Sequence, residues 1–220
     1  MRLTHFGHSC LLVELADRRI LIDPGSFSAG FEDLTGLDAV LVTHQHADHL
    51  DVDRLPALLA GNPGAQVATD PQTAQLLREK GLDVAELAEG SDLTVGEVTV
   101  SPRGAEHAFN HSRVPSVANV GLRLSADGEP TLFHPGDAYD ADPGPVGTVD
   151  VLAVPINAPW TAVRDSIDFV RRIGPRSFVP IHDGLLSPQG RGLYLMHVGQ
   201  FGGEDLTLHD LAGQGAVTLP

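Results

Sequence analysis

The sequence predicts an α/β fold in a single domain spanning 1–220, and three observations carry that reading. Short, nearly all-apolar runs recur along the chain, as buried strands do. Stretches with helical spacing are interleaved with them in both halves, so sheets covered by helices are the expected layers. The 220 residues suffice for a substantial core, and no linker, fixed-period repeat or long charge run divides them.

Strands are expected near 2–6, 10–15 (CLLVEL), 19–22 (RILI) and 39–43 (AVLVT). Helical patterns follow near 51–60 and 71–80, the second stopped by Gly81. Strands return at 98–100, 117–124 and 131–134, the last two separated by the turn sequence DGEP. A strand over 149–156 leads to an amphipathic helix over 162–174. Val163, Ile167, Val170 and Ile173 share one face of it, and Gly174-Pro175 ends it. SFVPI at 177–181 is the next strand, and 193–220 reads as a short helix with one or two terminal strands.

Composition narrows the function classes. With 42% hydrophobic and 20% charged residues, disorder is not the default. Fourteen basic against 29 acidic residues give a net charge of −15, which repels phosphate backbones and anionic lipid. Nucleic-acid and membrane partners are therefore disfavoured, and a small-molecule substrate is expected; the sequence leaves oligomeric state open. The single cysteine, Cys10, rules out an intramolecular disulfide and reads as a small buried apolar residue. The opening residues lack a signal-peptide pattern and no apolar run is long enough for a bilayer, so a cytoplasmic location is expected.

The segment LVTHQHADHL at 41–50 carries the chemistry. A buried strand ends at Thr43 and delivers His44, His46, Asp48 and His49 within six residues. Imidazole nitrogens and carboxylates are ligands for zinc and related metals. The i/i+2 spacing of His44 and His46 in a tight loop can point both at one metal, while Asp48 and His49 turn toward a second.

The pattern H-x-H-x-D-H after a buried strand resembles the signature of the metallo-β-lactamase superfamily. That resemblance implies a four-layered αββα sandwich with metals between the sheets at one edge. It also implies a further histidine, a bridging aspartate and a last histidine, in that order. The sequence supplies GAEHAF with His107, FHPGDAY with Asp137 and VPIHDG with His182. By this resemblance His44, His46 and His107 would hold one metal, Asp48, His49 and His182 the second, and Asp137 both. The opening FGHSCLLVE and LIDPG at 21–25 are similar to a branch of small cytoplasmic hydrolases that includes ascorbate-phosphate lactonase-like proteins.

The set contains no protein nucleophile, so a hydroxide bridging two metals is the expected attacking group, with Asp48 the catalytic carboxylate that orients it and shuttles its proton. Two divalent ions are expected, zinc first, with manganese or iron as alternatives. Asp23 is a candidate to orient a ligand histidine or simply to form an Asp-Pro-Gly turn. His8 is expected near the site, and His111 and His134 flank it as possible donors to substrate. Ser9 should point away from His8, because neighbours along a strand face opposite sides. Tyr139, Arg113 and Arg191 are possible pocket contacts, and Trp160 reads as a gap-filling core residue or a pocket wall. Three functions follow: a small-molecule ester or lactone hydrolase, which is favoured; a phosphodiesterase or nuclease; and a non-hydrolytic metal-binding protein on the same fold.

Overall fold

Two mixed seven-stranded sheets pack face to face, with helices on each outer face. The computed structural model describes the backbone of residues 1–220 and every side chain except that of Pro143. The first half runs β1 (Arg2–His5), β2 (Leu11–Leu15), β3 (Arg18–Ile22), β4 (Ala39–Val42), α1 (Leu55–Ala60), β5 (Gln66–Thr69), α2 (Pro71–Glu79) and β6 (Ala85–Glu86). The second half begins with β7 (Leu93–Val95), β8 (Val98–Arg103), β9 (Gly121–Ser125), β10 (Leu132–His134), α3 (Pro143–Val146) and β11 (Val151–Pro155). It continues with α4 (Val163–Ile173), β12 (Ser177–Ile181), α5 (Pro188–Phe201), β13 (Thr207–Leu208) and β14 (Val217–Thr218).

The first sheet is ordered β14-β1-β2-β3-β4-β5-β6 and the second β13-β12-β11-β10-β9-β8-β7. In the first, β14, β1, β2 and β3 pair antiparallel, and β3 through β6 pair parallel. The second repeats this: β7 through β10 antiparallel, β10 through β13 parallel. The halves thus share a topology that no sequence period reveals.

Two-residue alternation along the strands sorts the apolar side chains into three layers. Leu11 and Val13 of β2, Ile20 and Ile22 of β3, and Val151 and Ala153 of β11 meet between the sheets. The intervening Leu12, Leu21 and Val40 pack under Leu55 and Leu58 of α1 and Ala74 and Leu77 of α2. Leu152, Val154 and Phe178 pack under Phe169 and Val170 of α4 and Leu195 and Val198 of α5. Burying each of these Leu, Ile, Val and Phe side chains contributes about 1.5–3 kcal/mol. The expected αββα sandwich is the observed architecture.

Several boundaries differ from expectation, each for a local reason. The helix expected from 51 starts at Leu55, because Asp51 Oδ1 accepts from the Asp53 and Arg54 backbone N–H groups and forms a turn first. The strand expected from 117 starts at Gly121, and Ala118 makes only an isolated bridge to Glu106. The short helix expected after 193 begins at Pro188, capped by Ser187 accepting from Gly190 N–H; Gly190 and Gly192 obscure its start. β5, β6 and β7 are two to four residues long, too short for an alternating pattern to mark them in the sequence. No helix is long and apolar enough to cross a membrane.

Leu122→Ala between the sheets and Phe178→Ala under α4 should each lower the unfolding free energy by about 2–5 kcal/mol. Leu193→Ala, on the exposed side of α5, should change it by less than about 0.5 kcal/mol. Urea titration of the three variants checks this ordering.

Candidate metal centre

All seven sequence-predicted ligands converge where loops leave the same edge of both sheets. Thr43 follows β4, and the next residues fold back in a turn in which the His49 and Leu50 N–H groups both donate to His46 O at 2.9 Å. The loop after β3 lies flush against this turn. A Cβ on Gly25 would sit 1.8 Å from Asp48 O, so only glycine allows the approach. From the other sheet, His107 lies between β8 and β9, Asp137 follows β10, and His182 follows β12. Asp137 is set by Asn119, whose Oδ1 accepts the Asp137 N–H at 2.9 Å and whose Nδ2 donates to Pro135 O. Gly136 makes this possible: its φ is +62°, and a Cβ there would lie 2.2 Å from Asn119 Oδ1.

Backbone and side-chain acceptors fix which nitrogen each histidine presents. His182 Nδ1 donates to Asn157 O at 2.6 Å and His107 Nδ1 to Ala108 O at 2.7 Å, leaving each Nε2 a lone pair in the neutral ring. His49 Nδ1 donates to Asp23 Oδ2 at 2.7 Å. Asp23 also accepts from Thr43 N–H at 2.7 Å and Thr43 Oγ1–H at 2.8 Å, and Thr43 Oγ1 in turn meets His44 Nδ1 at 3.0 Å. The fully buried Asp23 therefore orients both His44 and His49. Both readings the sequence left open are met: Asp23 orients the histidines through its carboxylate, and its backbone O accepts the Gly25 N–H at 2.8 Å in a turn.

These tautomers aim lone pairs at a carboxylate. Asp137 Oδ2 lies 3.1 Å from His182 Nε2 and 3.4 Å from His107 Nε2, and Asp137 Oδ1 lies 3.1 Å from His49 Nε2. Asp137 Oδ1 and His182 Nε2 are buried with no hydrogen-bond partner. Acceptors face acceptors, an arrangement that needs a proton or a metal cation between them. Candidate donor atoms of His44, His46 and His107 lie within 4.8 Å of one another, as do those of His8, Asp48, His49 and His182, and those of His44, His49 and Asp137. Nitrogen and carboxylate donors at this spacing, with orphaned lone pairs among them, fit bound divalent metals.

The electrostatics agree. Burial pushes the Asp137 carboxyl up, but His49, His107 and His182 hold it well below the usual carboxylate range. Burial opposes a charge on His49, yet Asp137 and Asp23 raise it well above the ordinary imidazole value; a metal ion supplies the same compensation. Burial, then His49, keeps His44 well below its usual value, so it is neutral and free to ligate. Asp48 is pulled to about 2, its burial outweighed by the hydrogen bond from His8 and the charge on His49.

His8 is closer to the chemistry than the sequence indicated. Its Nδ1 accepts the Gly184 N–H at 3.2 Å, so Nε2 carries the proton and donates to Asp48 Oδ2 at 3.1 Å. It acts on Asp48 as a hydrogen-bond donor. Ser9 corrects the alternation argument: its Oγ lies 3.2 Å from His49 Nε2. His8 sits in a turn before β2 with φ +51°, and that left-handed residue brings both side chains to the same edge.

Other expectations divide. His134 is buried, its Nε2 meeting Ser9 O at 3.1 Å and its Nδ1 accepting the Gly136 N–H, so it is a satisfied core histidine. His111 lines a cavity beside the site. Trp160 lines the cavity over the ligands and donates Nε1–H to Asp137 Oδ2 at 2.9 Å, so it is a wall and not core filler. Tyr139 is not a pocket contact; its hydroxyl bonds Pro155 O and Ser166 Oγ beneath α4. Arg191 is held by Asp183 and Asp210, and Arg113 lines neither cavity at the site.

Comparison with known proteins agrees with this fold. Residues 2–182 match the model of the beta-lactamase superfamily domain. A Mycobacterium tuberculosis protein, Rv0786c, is 46% identical over 195 residues, covering 88% of this chain and 89% of its own length. A UPF0173 metal-dependent hydrolase of Methylobacterium nodulans is 30% identical over 84% of this chain and 85% of its own. Among solved structures, Igni18, a metallo hydrolase from the archaeon Ignicoccus hospitalis, superposes with a TM-score of 0.73 at 20% identity, over 100% of this chain and 99% of its own.

Gly136→Ala should destabilise the protein by about 2 kcal/mol or more, since the strain of a left-handed residue adds to a clash with the buried side chains of Asn119 and Thr43. Gly128→Ala shares the positive φ but meets nothing within 4 Å, and should cost only about 1–2 kcal/mol. Thermal unfolding of the pair measures the difference.

Proposed function

The chain belongs to the beta-lactamase superfamily and, within it, to the UPF0173 group, and from that membership we propose a metal-dependent hydrolase acting on a small-molecule ester or lactone. The observation that carries the proposal is Asp137: a buried carboxylate faced by three imidazole Nε2 atoms within 3.4 Å, at the floor of an open cavity. His44, His46 and His107 would hold one divalent ion, Asp48, His49 and His182 a second, and Asp137 both. Zinc is the first expectation for this nitrogen-rich set, with manganese and iron as alternatives. Bound there, such ions lower the pKa of water toward about 7 and polarise a substrate oxygen.

The chain's own residues supply orientation and proton handling. Asp48 borders the cavity, anchored through Oδ2 by the His8 N–H, and it orients the attacking water and relays the proton to the leaving oxygen. Thr43 and Asp23 lock the rings of His44 and His49. The Trp160 indole N–H holds Asp137 and closes the cavity wall. The net charge of −15 weighs against a nuclease.

Elemental analysis of protein purified without chelator should find about two metal atoms per chain. His44→Ala or Asp137→Ala should lose metal and ester hydrolysis together, and a fully active, metal-free Asp137→Ala protein contradicts the proposal. Asp23→Asn removes an acceptor that touches no metal in this scheme. It should weaken metal binding by roughly 10–100-fold in competition with a chromogenic chelator; unchanged affinity would show that Asp23 does not set the histidines.

A further inference from the structure

Two apolar cavities meet at the metal-facing side chains, sharing His46, His107 and Asn110. One, of about 320 Å3, is walled by Phe27, Ala47, Pro159, Trp160 and Leu185. The other, of about 380 Å3, lies in the 107–117 loop and is walled by Ala108, Phe109, Val114, Pro115 and Val117. Each has room for a ring-sized group, since an apolar cavity of about 150 Å3 already holds benzene.

A second observation concerns exposure. Large apolar side chains left open to water include Phe27, Phe109, Val114 and Leu185, with exposures of 48–78%, and all four line these cavities. Folding gains nothing from apolar groups placed there, and a clustered apolar patch marks a surface that something else covers. Among the described residues no lysine or arginine lines either cavity. Away from the metal-facing residues the polar side chains of the lobes are Asn110, His111, Ser112 and Ser116, which offer hydrogen bonds but no lysine or arginine to an anionic arm, within a chain already at −15. The Asn110 amide, at the junction, is an uncharged donor and acceptor.

Resting on the hydrolase reading above, we infer that the substrate is an uncharged ester carrying an apolar group on each side of its scissile bond, one in each lobe. In the reaction the oxygen of water bonds to the carbonyl carbon, the bond from that carbon to the alcohol oxygen breaks, and the alcohol leaves with a proton. The products are a carboxylic acid and an alcohol, with no oxidant or reductant required. The acid ionises on release, and the apolar lobe that accepted the neutral ester holds the anion poorly, which favours its departure.

Trp160 is the only tryptophan of the chain, so its fluorescence reports occupancy of the first lobe without turnover. The metal-loaded protein is titrated with 1,3-diphenylacetone, a carbonyl with two apolar arms, and with the same ketone bearing a para-carboxylate on each ring. The neutral ketone should bind at least about tenfold more tightly. Leu185→Asp and Val114→Asp, exposed positions in the two lobes that the fold does not need, should each weaken it by about tenfold or more. Equal or tighter binding of the dicarboxylate overturns the inference. Hydrolysis of benzyl phenylacetate is followed in parallel. Binding of the ketone with no ester turnover leaves the pocket assignment standing and removes the hydrolase reading. Equal kcat/KM for the neutral ester and its dicarboxylate analogue does the reverse.

Discussion

The buried carboxylate of Asp137 is the constraint on which the rest of this molecule turns. Three imidazoles from three different loops present nitrogen lone pairs to it within 3.4 Å. In a water-poor interior such an arrangement stands only if positive charge is shared among the groups. The donors come from both sheets, so the site also couples the two halves of the sandwich: His44, His46, Asp48 and His49 follow β4 of one, and His107, Asp137 and His182 belong to the other. Packing of Leu11, Val13, Ile22 and Leu41 against Leu122, Ala153 and Val179 holds those edges in register. The loops can therefore carry strain, such as the left-handed φ of +62° at His182.

The two halves contribute differently although their strand order and direction correspond. β3 is followed by Asp23-Pro24-Gly25, and its counterpart β10 runs through His134 into Pro135-Gly136 with Asp137 next. One turn places a carboxylate behind the histidines, where it accepts hydrogen bonds from Thr43 and His49. The other places a carboxylate in front of them. The same Pro-Gly pattern, left-handed at Asp23 in one turn and at Gly136 in the other, thus accompanies both the group that orients the donors and the group that faces them.

Much of this was legible in the sequence because it is local. The all-apolar AVLV strand followed by four donors in six residues announces its role whatever surrounds it, and the later GAEH, HPGD and PIHD segments gain meaning from their order. What stayed hidden depends on long-range placement or on backbone geometry. His8 and Ser9 read as strand neighbours facing opposite ways until the positive φ at His8 breaks the alternation. Arg191 reads as a pocket contact, but Asp183 and Asp210 hold it. Tyr139 read as a pocket residue, yet it stacks on Phe169 at 4.8 Å in the layer under α4. The start of α5 lies five residues before the expected tail helix, because Gly190 and Gly192 weaken the helical signal of its first turns.

The central claim is that two divalent ions share the Asp137 carboxylate. The most direct measurement is an anomalous difference map from a crystal grown without chelator, with data on both sides of the bound metal's absorption edge. Two peaks should appear beside Asp137, one among His44, His46 and His107 and the other among Asp48, His49 and His182. A metal-replete crystal with no peak at Asp137, or with density for one ion held by a different set of side chains, would contradict the account.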